Sequence, residues 1–286
     1  RPLENTSTRL FGAPWRILTS DGSRLGPRSS IHVSRFRCSR DRYSVEKWEH
    51  GRHDFPLQQR SDEVSMCGIF GVFQTSAVVE WDKACLAAKA LTHRGPDEKG
   101  EWRDRHAMMF HRRLSIIDLA MGRQPMVSKD GRHTIIFNGE IYNFAELREE
   151  LRGDGVAFST QSDTEVLLEG FRRWGADVVK RLNGMFAFVI WDRLESRVFG
   201  ARDRLGIKPL TWGMHKGALV VASTVEPFSA LDMFRSIDPV AVRDVLTFDY
   251  IPAPRTILRD VYKLPPGCCL QCHAVRRTIS IGMMHV

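Results

Sequence analysis

A cysteine placed directly behind a methionine and directly ahead of a strand-forming run constrains this chain more than any other feature. The stretch is Met66-Cys67-Gly68-Ile69-Phe70-Gly71-Val72-Phe73. The chain holds 10 methionines, and none comes before Met66. Removal of Met66 leaves Cys67 with a thiol and a free α-amine on one residue. An α-amine titrates near ~8, well below a lysine, so it can take the thiol proton at neutral pH. One residue then holds both a nucleophile and its base. The competing reading is a small buried hydrophobe, as free cysteines often are.

Four further motifs follow in order: His93-Arg94-Gly95-Pro96-Asp97, Arg113-Leu114-Ser115-Ile116, Asn138-Gly139-Glu140-Ile141-Tyr142-Asn143 and Ser162-Asp163. With the Met66–Gly71 start they resemble the class II glutamine amidotransferases, the N-terminal-nucleophile glutaminases. A later run, Arg202-Asp203-Arg204-Leu205-Gly206-Ile207-Lys208-Pro209-Leu210, is similar to the asparagine synthetase branch of that family. The resemblance extends from Met66 to about Leu270. It implies a four-layer α/β/β/α sandwich of two antiparallel sheets with the nucleophile at the end of a strand.

The residues themselves read as α+β, with runs of strands interrupted by a few helices. Trp81, Ala84, Cys85, Ala88 and Leu91 recur at helical spacing, which predicts a helix over Trp81–Thr92 with Cys85 in the core. Strand-like runs stand at Ala107–Phe110, Leu114–Ile117 and Thr134–Phe137. Asn143 with Glu146, and Ser162 with Glu165, look like capping boxes opening helices that close at Gly153 and Gly175. Met185–Trp191 with Arg197–Ala201, and Leu210–Gly213 with Ala218–Ala222, read as hairpins. Asp238-Pro239 opens a short helix. Asn138-Gly139, between apolar strand residues, is a two-residue hairpin-turn signal.

Hydrolysis of a side-chain amide needs a nucleophile, an oxyanion site and a clamp on the amino-acid end. Cys67 supplies the first, through a thioester that splits the reaction in two. The resemblance assigns Asn138 and Gly139 to the oxyanion, since a turn there exposes the Gly139 N–H beside the Asn138 amide. It makes Arg113 the fork for the substrate α-carboxylate, a planar match that lysine lacks. The backbone of Leu114 and Ile116 lines the same pocket. Asp163 accepts the α-ammonium with Glu140 nearby, although Asp163 is equally explained as the first-turn acid of a helix. His93 belongs to a structural loop.

Composition excludes more than it identifies. At 286 residues, with 43% hydrophobic and 27% charged, the chain has room for one or two domains, and no apolar run approaches a membrane span. The net charge of +8 comes largely from arginines scattered through residues 1–65 without aromatic interleaving, so neither nucleic acid nor membrane is expected as a partner. Six cysteines make no disulfide framework, and a reducing cytoplasm suits a catalytic thiol. Cys269-Leu270-Gln271-Cys272-His273 matches a haem-attachment pattern. Two thiols and one imidazole leave a zinc site incomplete, however, and no metal is expected.

The expected organisation is a leader, propeptide or untranslated stretch at 1–65, the amidotransferase domain at 66–270 and a truncated tail at 271–286. The family's second half binds ATP through a Ser-Gly-Gly-x-Asp-Ser loop that this sequence lacks. The resemblance therefore implies no cofactor for the glutaminase part, with ATP and Mg expected only in the missing synthetase domain. Glutamine and that domain are the implied partners, with a homodimer left open. Two alternatives stand beside this reading: a sugar or phosphoribosyl acceptor, and an inactive fragment if Cys67 is never N-terminal.

Overall fold

The computed structural model describes residues 66–74, 78–113, 122–274 and 278–283. The expected leader at 1–65 and the strand expected at Leu114–Ile117, with Leu114 and Ile116, lie outside the described residues. Two six-stranded antiparallel sheets carry the fold. In the first, β1 (Gly68–Phe73) lies between β3 (Ala107–Arg113) and β9 (Ala218–Ala222). Strand β2 (Glu98–Arg103) flanks β3, and β8 (Thr211–His215) followed by β10 (Val261–Lys263) flanks β9. The second sheet sets β4 (Met126–Val127), β5 (His133–Ile141), β6 (Gly184–Asp192), β7 (Arg197–Arg202), β11 (Cys268–His273) and β12 (Thr278–Met283) side by side in chain order.

Side-chain alternation assembles the layers. In β1, Ile69 and Phe73 turn toward the second sheet, where they meet Ile136, Val189 and Trp191. Phe70 and Val72 turn the other way, onto α1 (Trp81–Lys89) and α5 (Glu226–Ala230). All six β1 residues are buried, as expected of a central strand covered on both faces. On the far side, Ile135, Phe137 and Phe186 pack under α2 (Phe144–Gly153), α3 (Asp163–Trp174) and α4 (Val178–Arg181). The order is helix, sheet, sheet, helix, as the family resemblance implied. A further helix, α6 (Pro239–Phe248), starts where the Asp238 side chain accepts from the Val240 N–H.

Several local expectations need correction. Asn138-Gly139 is no turn: both residues lie inside β5, paired with Ala187 and Phe186 of β6. A nine-residue ladder outweighs the turn preference of a dipeptide. Asn143 makes no side-chain cap on α2. Its amide is spent on the segment at the end of α4, donating to the Arg181 carbonyl and accepting from the Asn183 N–H. Ser162 does cap α3 through the Glu165 N–H, but Glu165 returns its carboxylate to Ser159 and Thr160 instead. The residue-270 boundary falls inside β11, which pairs along its length with β12. Within β11, Cys272 faces the inter-sheet core and Cys269 the helical side, so the two thiols point apart.

Candidate active site

The face that β1 turns toward the second sheet includes Ile69, and period-two alternation extends it back to Cys67. Strand β3 runs antiparallel to β1, with Ile69 opposite His111 and Gly68 opposite Arg112. The end of β3 therefore lies beside the start of β1, and Met109, His111 and Arg113 share the inter-sheet face. A cavity of about 280 Å³ opens at this end of the sandwich. Cys67, His111, Arg113, Gln124, Gly139 and Asp163 are among the residues lining it.

The edge of β5 shapes one wall. Phe186, opposite Gly139, gives its N–H to Asp203 and takes the Asp203 N–H on its carbonyl, so its backbone groups point away from β5. Gly139 accordingly turns its own N–H to the opposite edge of β5, where β4 has already ended. Its neighbours on that edge are taken: Phe137 N–H donates to Gln124 Oε1 at 2.6 Å and Ile141 N–H to Asp163 Oδ2 at 3.1 Å. The Gly139 N–H points into the cavity between them. The exposed donor expected from a turn arises from an uncovered strand edge instead. No side chain fits at this position, because a Cβ on Gly139 would stand 2.2 Å from the Met185 carbonyl oxygen.

Asn138 lies 2% exposed, and among the described residues its Nδ2 has no hydrogen-bond partner. Leaving a buried donor unmade costs about 1–3 kcal/mol. Across the cavity, Arg113 is mostly buried and contacts Glu98 at 3.4 Å. Glu98 also pairs with Arg123 at 3.3 Å. Asp163 is the first residue of α3, beside the helix N-terminus. Burial holds its carboxyl above the ordinary range even though backbone N–H groups stabilise the anion, and the Glu140 charge adds to the rise. Glu140 itself is exposed. A cation beside Asp163 would offset the burial of its carboxylate.

Sequence reasoning gave no role to several residues that the fold brings here. His111 Nε2 is 3.1 Å from the Phe137 carbonyl oxygen, a contact between the two sheets. Burial pushes its imidazole down to about 4, so the ring is neutral and donates through Nε2. Gln124 joins Phe137 to Thr164. Arg94 Nε reaches the Cys67 carbonyl at 3.4 Å, and its buried Nη2 has no hydrogen-bond partner among the described residues. Alternation from Arg113 back to His111 was the available signal for the histidine. The others depend on long-range pairing. His93 is exposed in the turn after α1.

The Cys67 thiol thus stands at one end of a two-sheet α+β sandwich, beside the edge of β5. The chain belongs to the glutamine amidotransferase domain family, whose sequence model matches residues 66–280. It is 40% identical over 206 residues to asparagine synthetase [glutamine-hydrolyzing] 1 of Bacillus subtilis, covering 71% of this chain and 33% of that protein. Asparagine synthetase B of Escherichia coli is 42% identical over 164 residues, covering 56% and 29% respectively. The chain thus spans about a third of the length of these relatives. The glutamine phosphoribosylpyrophosphate amidotransferase of B. subtilis superposes with a TM-score of 0.54 at 21% identity, covering 77% of this chain and 50% of that one. At that identity the likeness speaks for the fold. Among the described residues, no helix is long and apolar enough to cross a membrane.

Proposed function

We propose that this chain is the glutaminase portion of an asparagine synthetase, working in the cytoplasm once Cys67 is N-terminal. Glutamine lies in the cavity with its α-carboxylate on Arg113 and its α-ammonium between Asp163 and Glu140. The Cys67 sulfur attacks the side-chain carbonyl carbon while the α-amine takes the thiol proton. The carbonyl oxygen gains the negative charge and is met by Asn138 Nδ2 and the Gly139 N–H. The α-ammonium then protonates the amide nitrogen, the C–N bond breaks and ammonia leaves. Water, deprotonated by the same amine, releases glutamate from the thioester. The ammonia is destined for ATP- and Mg-dependent amidation of aspartate by a synthetase domain.

The observation that carries this reading is a buried amide donor without a partner, adjacent in the strand to an N–H aimed into the cavity that Cys67 lines. The test is ammonia release from glutamine by protein beginning at Cys67. Turnover is expected from the wild type, and Cys67→Ala is expected to fall to the uncatalysed background. Undiminished turnover by that variant, or by protein whose Cys67 amine is still in a peptide bond, would remove the nucleophile–base pair on which the reading depends.

A further inference from the structure

The Arg202–Leu210 run marks a family branch in the sequence, yet no step above uses it. In the fold it is a clasped loop. Asp203 is 1% exposed and accepts four backbone N–H groups: Leu205 and Ile207 on one oxygen, Lys208 and Phe186 on the other. Arg202 donates to the carbonyls of Lys208, Gly206 and Leu264. These bonds fix the backbone of Lys208, whose side chain is 7% exposed overall and turned toward the Cys67 end of β1. Among the described residues, the one hydrogen-bond partner of its ammonium is the Met66 sulfur at 3.1 Å. A thioether is a weak acceptor. A nearly buried cation so poorly matched costs stability, and packing alone does not account for it.

The charged and titratable groups around this ammonium are Cys67, Arg94, Asp203 and Glu140. Asp203 is spent on its four N–H groups, and Arg94 is a second cation directed at the Cys67 carbonyl, with Glu226 beyond it. Burial already holds the Lys208 ammonium below the usual lysine range. We infer that Lys208 is a charge-positioning residue: with Met66 gone, its ammonium faces the Cys67 α-amine and keeps that amine unprotonated, ready to take the thiol proton. A second positive charge beside a desolvated one is disfavoured. The same repulsion makes the α-ammonium formed on attack a stronger acid toward the departing nitrogen. This inference rests on the reading of Cys67 as an N-terminal nucleophile.

Protein beginning at Cys67 is prepared as wild type, Lys208→Met, Lys208→Gln and Lys208→Arg, and kcat/KM for glutamine hydrolysis is followed across pH. The acid limb of the profile is expected to move upward by about one unit in the neutral variants, roughly a tenfold loss on that limb, and to stay in place in Lys208→Arg. A wild-type limb in a folded neutral variant overturns the inference. If neither neutral variant folds, the wild-type α-amine is titrated directly by its rate of acylation, with the free peptide Cys-Gly-Ile-Phe as reference. Titration below the peptide supports the inference, and titration at or above it overturns it. A wild type that begins at Cys67 but releases no ammonia defeats the glutaminase reading instead, and the amine titration still decides for Lys208.

Discussion

The Arg202–Asp203 clasp and the cavity at the start of β1 handle buried polarity in opposite ways. In the loop, every oxygen of Asp203 and every nitrogen of the Arg202 guanidinium is matched by backbone within the fold. Near the cavity, Asn138 Nδ2 and Arg94 Nη2 have no hydrogen-bond partner among the described residues, and the Asp163 carboxyl is held protonation-prone by burial. Buried groups that stabilise a fold are satisfied by it. On that rule the Asp203 clasp is scaffold, and under the proposed function the cavity groups await a partner. Unmatched atoms such as Thr134 Oγ1 and Arg148 Nε also occur away from the cavity among the described residues.

That contrast can be broken by substitution. Asp203→Ala leaves four backbone N–H groups without their acceptor and should cost about 4 kcal/mol of folding stability, read from urea unfolding. A loss under about 1 kcal/mol would show that the loop is not scaffold. Asn138→Ala should cost about 3 kcal/mol of transition-state stabilisation, a fall of 10²–10³ in kcat, while stability changes by less than about 1 kcal/mol. Equal effects on rate and stability would erase the distinction between the two regions.

His111 sharpens the comparison, because it is a scaffold group at the cavity wall. Its folded value of about 4 lies below the unfolded histidine value near ~6.5, so below that pH the unfolded chain binds a proton that the folded one refuses. The stability it leaves intact above about pH 6.5 should decline as the pH falls toward 4, by about 2 kcal/mol at pH 5. His111→Gln should flatten that part of the stability profile in equilibrium unfolding. An unchanged slope would mean that the imidazole does not titrate as its burial requires.

Fold class and much of the cavity wall were legible in sequence for a physical reason. Strand alternation is local, so the faces of β1 and the hairpins of β6 with β7 and β8 with β9 can be read from neighbours. Cys67, Arg113 and Asp163 belong to recognisable short motifs, and the fold brings them to one cavity. The misreadings share a cause. Asn138-Gly139 has a turn's local chemistry and Asn143 a cap's, yet both are overruled by partners 38 or more residues away, Phe186 and Asn183 among them. Gln124 carried no local mark and Lys208 only its place in a motif, because the position of each depends on which strand edge or loop meets the Cys67 end of β1.

The two sheets are joined by directional bonds at both ends of their shared core. Near the cavity the His111 ring meets the Phe137 carbonyl at 3.1 Å, and at the other end Trp191 Nε1 donates to Asp104 Oδ2 at 2.7 Å. Apolar packing between them resists separation but is indifferent to sliding. Two such struts fix the spacing of the sheets like the jaws of a locked calliper. The aperture at Cys67 is thus partly set by a tryptophan and an aspartate that never touch it.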